Sequence, residues 1–522
     1  MRAGTDALPI TRALALVIVG LLSLPPLLVL GVQAYLGRDA ETVSAARLLE
    51  LSGNTLSLVA IVVASSLLLG TATALLTHRV LLPGRRVWST LITVPLVLPA
   101  YVVAVALSGM VGGDGVVTGW LAPLGVERLP PASGLWAAAT CLTIVSVPIV
   151  HALVGAALTR ADPALEEAAR VLGDPPLRVL ARITLPRMRG TYALSSCVIA
   201  LYVISDFGAV SMLRYDTFTR AVYAQFRGRV DLAPAFALCS LLVLLAGVFI
   251  VGQIALRGRE SPGAPHPRPA VTQAGPLLRV AGTALLAIVV VVSSVLPLAT
   301  LIAWTVRGLS VGAQPGPVVA ETLNTLGFAA SAAAVTTALA VPVALVARRR
   351  GVVGRIVETV PWVTHSLPHL AIGLALLVLA VAAPRPLYQS APVLVAGYAV
   401  IFLPVAVGAM TVALRGIDPR LSESSRLLGR GAIGTFRHVT VPLAWRAAAT
   451  GAALVFFATL HELPVTLLLR PTGTETLAVR LWGAMVEGQY TTASIAAVLM
   501  VAVSFPLLAV HARSSVRSAV PV

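Results

Sequence analysis

Apolar residues in this chain come in long unbroken runs, each about as long as a helix that crosses a bilayer core, with arginines and glycine–proline turns between them. Such runs fall near residues 13–33, 54–76, 89–111, 134–157, 191–212, 233–256, 280–306, 322–346, 358–382, 391–413, 447–469 and 491–511. They predict about twelve transmembrane helices. Continuous apolarity argues against barrel strands, which alternate apolar and polar residues over about ten positions. The first run, Ala13 to Val32, follows Arg2 and Arg12, but it is too long for a signal-peptide core and has no clear small-residue cleavage site. It is expected to stay as a membrane helix.

Composition agrees with this pattern. Of 522 residues 57% are hydrophobic and only 11% charged, against about a quarter charged in soluble domains, so soluble and disordered classes are excluded. The net charge of +17 comes from arginines scattered between apolar runs, with no lysine in the chain, and does not point to nucleic acid. Cys141, Cys197 and Cys239 all lie inside apolar runs, where they read as small buried hydrophobes. With both termini placed in the cytoplasm, 27 of the 38 basic residues fall in cytoplasmic segments and 11 outside, the asymmetry expected of a multi-pass protein. One exterior loop runs against it, with Arg214, Arg220, Arg227 and Arg229.

A Pro-rich stretch near the middle, 257–279, reads as a flexible linker and suggests an internal duplication. Asn54-Thr55-Leu56 opens the second predicted helix and Asn324-Thr325-Leu326 the eighth. Asp162 to Arg187 aligns without gaps on Asp418 to Leu443, with identities at Asp162/Asp418, Pro163/Pro419, Leu165/Leu421, Glu167/Glu423, Arg170/Arg426, Leu172/Leu428, Gly173/Gly429, Thr184/Thr440 and Pro186/Pro442. Chance would give about two. The expected organisation is a first helix and exterior loop at 1–53, a module at 54–256, the linker at 257–279, a further helix and loop at 280–323, a second module at 324–511 and a tail at 512–522. The fold class is thus an all-α integral membrane protein with two parallel six-helix repeats.

Each repeated loop reads as a short helix, a turn and a second short helix leading into the next span. Asp162 is placed as N-cap and Pro163 at the first helical position, with Glu166 and Glu167 near the positive end of the dipole. Leu165, Ala168, Ala169 and Leu172 share a face at helical spacing, Gly173 supplies the left-handed stop, and Pro186 restarts the chain toward the membrane. A helix lying in the headgroup layer could carry similar arginines, but it needs no fixed Glu-to-Gly-to-Pro spacing. The spacing held in both copies favours docking onto a protein partner.

At these residues the chain resembles the binding-protein-dependent ABC importer permeases. Glu167-Ala168-Ala169, three residues, Gly173, nine residues, Ile183-Thr184-Leu185-Pro186 is similar to the EAA loop of that family; Glu423-Ser424-Ser425, three residues, Gly429, nine residues, Val439-Thr440-Val441-Pro442 is the second copy, with serines for both alanines. The resemblance implies a type I ABC importer permease fold with two permease modules fused in one chain. It further implies that each loop is a coupling helix seated on a cytoplasmic ATPase, with two ATPase copies and one extracytoplasmic substrate-binding protein as partners. No Gly-x-x-x-x-Gly-Lys-Ser/Thr occurs, so ATP is expected to be used by the partner subunit, with no cofactor bound by this chain. Nor is there an HExxH, a paired-cysteine metal site or a nucleophile elbow, which leaves an enzyme reading unsupported.

Asp206 and Glu462 stand in apolar segments, separated by the same 256 positions as Glu167 and Glu423, so each half carries one carboxylate at an equivalent place. Ionisable residues there are candidates for the translocation route; the alternative is that each pairs with Arg214 or Arg470 to anchor a helix end. His365 and His369, four apart with Pro368 between, suggest either a metal pair or a helix-kink or pore-lining role. Ile204-Ser205-Asp206-Phe207-Gly208 with Arg214-Tyr215-Asp216-Thr217-Phe218, and Glu462-Leu463-Pro464-Val465-Thr466 through Arg470-Pro471, resemble the iron(III) branch of the fused permeases; thiamine permeases share the architecture. Iron(III) suits hard carboxylate oxygens. The expected function is therefore import of iron(III) across the cytoplasmic membrane of a prokaryote. A gradient-driven secondary transporter also has parallel six-helix halves, but it gives no reason for paired EAA loops.

Overall fold

A computed structural model describes residues 7–36, 43–111, 115–125, 129–161, 164–228, 232–257, 272–273, 275–314, 316–349 and 351–517. Most of the expected linker, the pair Asp162 and Pro163, and the extreme ends of the chain lie outside them. The described chain is almost wholly helical; the strands among the described residues are Val80–Leu81 and Thr272–Gln273, paired in parallel.

The first half contains α1 (Ala7–Leu36), α2 (Ala45–His78), α3 (Arg85–Thr93), α4 (Ala100–Val111), α5 (Gly134–Arg160), α6 (Ala164–Val171), α7 (Arg189–Ser205), α8 (Gly208–Met212), α9 (Phe218–Gly228) and α10 (Ala233–Arg257). The second begins with α11 (Pro276–Val290) and α12 (Leu296–Ser310), followed by α13 (Val318–Ala347), α14 (Val352–Ser366), α15 (His369–Ala382), α16 (Ala391–Arg415) and α17 (Pro419–Leu427). It ends with α18 (Val441–Leu460), α19 (Pro464–Leu469), α20 (Leu477–Val486) and α21 (Tyr490–Arg517). Among the described residues nine helices are long and apolar enough to cross a membrane, and up to eleven if two bent pairs each count as one span.

Four of the twelve predicted spans are broken rather than continuous. The run at 89–111 stops after Thr93, passes through a 3₁₀ turn at Val94–Val97 and resumes at Ala100; Pro95 and Pro99 lack the donors that a continuous helix needs. The run at 358–382 bends by 102° at Leu367-Pro368, where Leu367 takes the extended conformation favoured before proline. The runs at 191–212 and 447–469 break after Ser205 and Leu460, beside the two candidate carboxylates. A further run starts earlier than expected: α2 begins at Ala45, where the Ser44 Oγ accepts from the Arg47 N–H at 3.3 Å.

The helices gather into two compact units that do not follow the sequential halves. One comprises Val43–Ala224, Leu244–Gly316 and Leu481–Val522. Within it α2, α5 and α7 pack together, and α12 from the other half of the sequence packs on α4 and α21. Gly70 lets α2 approach α5 closely, since a Cβ there would stand 2.4 Å from that of Val150. The second unit comprises Met1–Thr42, Gln225–Val243 and Pro317–Arg480. Its α13, α16 and α18 repeat the α2–α5–α7 group, and α1 packs on α13, α14, α15 and α16.

The repeated Asn-Thr-Leu words have a shared physical purpose. In one unit Asn54 Nδ2 donates to the Asp216 carbonyl at 3.0 Å and Thr55 Oγ1 accepts from the Phe218 N–H at 3.4 Å. In the other, Asn324 Nδ2 donates to the Glu475 carbonyl at 3.0 Å and Thr325 Oγ1 accepts from the Leu477 N–H at 2.9 Å. Each pair staples the start of a long helix to the loop that precedes α9 or α20, satisfying backbone groups that the turn would otherwise leave bare.

Candidate functional site

The first repeated loop is built from α6 outward. Its end has the geometry of a Schellman stop: the Gly173 N–H donates to the Arg170 carbonyl at 3.0 Å and the Asp174 N–H to the Ala169 carbonyl at 3.0 Å, with Gly173 at φ 91°. The second loop repeats it. The Gly429 N–H donates to Arg426 at 2.9 Å and the Arg430 N–H to Ser425 at 3.2 Å, with Gly429 at φ 83°. Asp418 caps α17, its Oδ1 accepting from the Arg420 N–H at 2.9 Å. A Cβ added to either glycine meets nothing within 4 Å, so the glycines are required by backbone conformation and not by close packing.

The motif prolines are explained by a π turn that precedes each of them. Leu180–Thr184 and Phe436–Thr440 are π-helical, and Pro186 and Pro442 follow at the start of the helices beyond. The shifted hydrogen-bond register accommodates a ring that has no N–H to give. The sequence reading of a second short helix with a restart at the proline did not foresee the π turn.

Burial divides the first loop's carboxylates. Glu167 and Ala168 are exposed, Ala169 is buried, and Glu166 is only 4% exposed. Glu166 Oε1 pairs with Arg79 Nη2 at 3.2 Å and accepts from Thr184 Oγ1 at 2.9 Å, which ties α6 to the end of α2. Burial pushes the Arg79 guanidinium below its ordinary pKa, and the Glu166 carboxylate opposes that shift. Leu165, Val171 and Leu172 stand outward, Leu172 at 86% exposure; in the second loop Leu421, Leu427 and Leu428 do the same, and Glu423 and Ser424 are exposed while Ser425 is buried. The four-residue face expected in the first loop is therefore split, with Ala169 turned inward and the others outward. Each loop presents a carboxylate beside an exposed apolar strip, a surface that fits a protein groove.

Asp206 and Glu462 each occupy a helix break. Asp206 Oδ1 accepts from the Ala209 and Val210 N–H groups at 3.0 and 3.2 Å and so caps α8, while Oδ2 makes no hydrogen bond among the described residues. Glu462 Oε1 accepts from the Val465 N–H at 3.2 Å, capping α19, and Oε2 meets His369 Nδ1 at 2.8 Å. The expected alternative, anchoring by Arg214 or Arg470, is not what the structure holds; Arg470 turns to the Thr474 carbonyl and to Glu475. Thr325, Tyr398, Thr459 and Thr466 gather with Glu462 around a small cavity, and Tyr398 Oη lies 2.7 Å from Thr466 Oγ1. His365 Nδ1 meets the Ile401 carbonyl at 2.9 Å, its ring centroid lies 5.7 Å from that of His369, and no group of three metal-ligating side chains occurs among the described residues.

Sequence comparison agrees with these features. Residues 66–257 and 336–517 each match the family described as binding-protein-dependent transport system inner membrane component. The chain is 27% identical over 504 residues to the Fe(3+)-transport system permease protein FbpB 2 of Haemophilus influenzae, covering 94% of this chain and 96% of that one. It is 26% identical over 476 residues to the probable ABC transporter permease protein y4fN of Sinorhizobium fredii, covering 83% and 82%. A shorter match, 26% over 209 residues, is to the putative 2-aminoethylphosphonate transport system permease protein PhnU of Salmonella choleraesuis, covering 39% of this chain and 73% of that one. Two family matches on one polypeptide, one over each repeated loop, make this chain a fused, multi-pass member of the binding-protein-dependent transport system inner membrane components.

Proposed function

We propose that this chain is the membrane permease of an ATP-driven importer for iron(III), with both termini in the cytoplasm, working with two copies of a cytoplasmic ATPase and one extracytoplasmic binding protein. The observation that carries the importer reading is the pair of matched loops, each ending in the same glycine stop and presenting Glu167 or Glu423 beside outward leucines. The iron assignment is supported by the near full-length similarity to an Fe(3+)-transport permease. ATP-driven approach of the two ATPase copies would move the loops, and Glu166 and the π turns would pass that movement into α2 and α7. In this reading Asp206 contributes a negative charge to the route, since its free Oδ2 remains available to a passing cation, whereas both oxygens of Glu462 are engaged.

The test is uptake of radiolabelled iron(III) by proteoliposomes holding the chain with its ATPase and binding protein. Asp206→Asn keeps the capping oxygen and removes the charge, so uptake is expected to fall several-fold while assembly and basal ATP hydrolysis persist. Unchanged uptake by this variant overturns the route role. Uptake of thiamine or 2-aminoethylphosphonate with none of iron overturns the substrate assignment.

A further inference from the structure

Glu462 stands where charge is costly, and the groups around it answer that charge only in part. It is 6% exposed, at the break between α18 and α19. A carboxylate has about four acceptor sites. Glu462 fills two of them, with the Val465 N–H on Oε1 and His369 Nδ1 on Oε2, and among the described residues no arginine pairs with it. An imidazole can make this bond as a neutral donor, which orients the carboxylate without cancelling its charge. A buried charge in that state calls for a counter-charge.

The cavity beside it has room for about one water molecule and is walled in part by Thr325, Tyr398, Thr459 and Thr466, all of the second unit. The hydrogen bonds fix which atoms hold protons. Thr466 Oγ1 gives its single proton to the Glu462 carbonyl at 2.7 Å, so Tyr398 Oη is the donor in the 2.7 Å contact between them. Thr325 Oγ1 gives its proton to the Glu321 carbonyl at 2.7 Å. These three hydroxyls are left with lone pairs alone. Thr459 Oγ1, on a residue 5% exposed, makes no hydrogen bond among the described residues, although buried hydroxyls normally have a partner. The fold does not require hydroxyls at these places: 256 positions earlier, Tyr398, Thr459 and Thr466 align with Leu142, Val203 and Val210, all buried and apolar.

We propose that this cavity binds one small monovalent cation of the size of sodium, held by Glu462, Thr459 and Tyr398, which ties α16 and α18 to the break before α19. Oxygens that have already given their protons away repel an anion and hold a cation. One carboxylate among neutral hydroxyls answers a single charge, whereas calcium or iron(III) wants several carboxylates, and no group of three metal-ligating side chains occurs among the described residues. The ion is a resident of the second half and is separate from any cation passing Asp206.

The test uses the full chain purified in a nonionic detergent at about pH 8.5, where an ordinary imidazole is neutral, in sodium chloride or in choline chloride of the same concentration. Wild-type protein is expected to bind about one radiolabelled sodium ion per chain, saturably, and to melt about 2–4 °C higher in sodium than in choline. Thr459→Val keeps the shape of the side chain and removes a hydroxyl that has no protein partner, so in choline it is expected to melt no lower than wild type. The same variant is expected to bind sodium at least tenfold more weakly and to lose the sodium-dependent rise. Tyr398→Phe is expected to weaken binding to a similar degree and Glu462→Gln to abolish it, while Glu358→Gln, outside the cavity lining, keeps both binding and rise. A wild-type midpoint equal in the two salts, with no saturable binding, overturns the proposal and leaves the cavity to water. So does a Thr459→Val midpoint lowered equally in both salts, which marks the loss of a bound water. Wild-type affinity in both Thr459→Val and Glu462→Gln also overturns it, by placing the ion elsewhere.

Discussion

At Gly173 and Gly429 the backbone takes the left-handed conformation that side chains with a Cβ adopt only at a cost of about 1–3 kcal/mol. Gly173→Val or Gly429→Val is expected to reduce transport-linked ATP hydrolysis several-fold while the amount of inserted protein stays near normal. Asn in the same positions should recover most of the activity, because it tolerates this region. Hydrolysis stimulated by loaded binding protein, set beside the quantity of membrane-inserted chain, checks both; equal loss with Asn and Val would mean that conformation is not the cause. These glycines were legible in the sequence because their spacing from Glu167, Glu423 and the prolines is repeated. Glu166 was seen only as a carboxylate near a helix start, since its partner Arg79 lies 87 positions away and periodicity carries no sign of such a pair. Likewise the His369–Glu462 contact spans 93 positions, and only folding brings those two breaks together.

Among elements, the decisive contact is between α6 and the end of α2. Removing one partner of a buried ion pair typically costs about 3–5 kcal/mol, because the other charge is left unanswered. Glu166→Gln is therefore expected to lower the melting midpoint of the purified chain and to loosen α6. The double variant Arg79→Met/Glu166→Leu should recover most of the stability, yet still transport poorly if the pair's rigidity conveys movement. A double variant no more stable than the single one would show that the pair does not act as a unit. In the same way Glu462→Gln weakens the contact with His369 and is expected to cost more stability than Asp206→Asn, as thermal melting of the two side by side reveals. Span positions could be read from apolar runs, which is why eight of the twelve expected segments lie within unbroken helical runs and the other four are helical on both sides of a break. Their breaks could not, because a run such as Leu463-Pro464-Val465 is as apolar as an intact helix, and its proline alone does not say whether the chain kinks or stops. Capping by Asp206 and Glu462, which settles the matter, depends on side-chain geometry.

For the whole molecule, the proposed placement of both termini in the cytoplasm predicts accessibility. Cysteines introduced at Arg178 and Arg437 are expected to react with a membrane-impermeant reagent only from the cytoplasmic side, and one at Arg220 only from outside; reaction of the Arg178 and Arg220 positions from one side would overturn the orientation. Composition and the repeated loops led to a membrane protein with a duplicated plan, but not to the way its helices are shared out, since apolar faces carry no address. That sharing has a consequence in time. α1 ends at Leu36, and α13, on which it packs, begins at Val318. At about 5–20 residues per second the ribosome delivers that partner on the order of 15–60 s later. Throughout the interval α1 must wait in the lipid with its packing surface uncovered. Synthesis as one polypeptide keeps the waiting helix tethered to the nascent chain that will supply its neighbour, so completion of this unit is a late step of biogenesis rather than an early one.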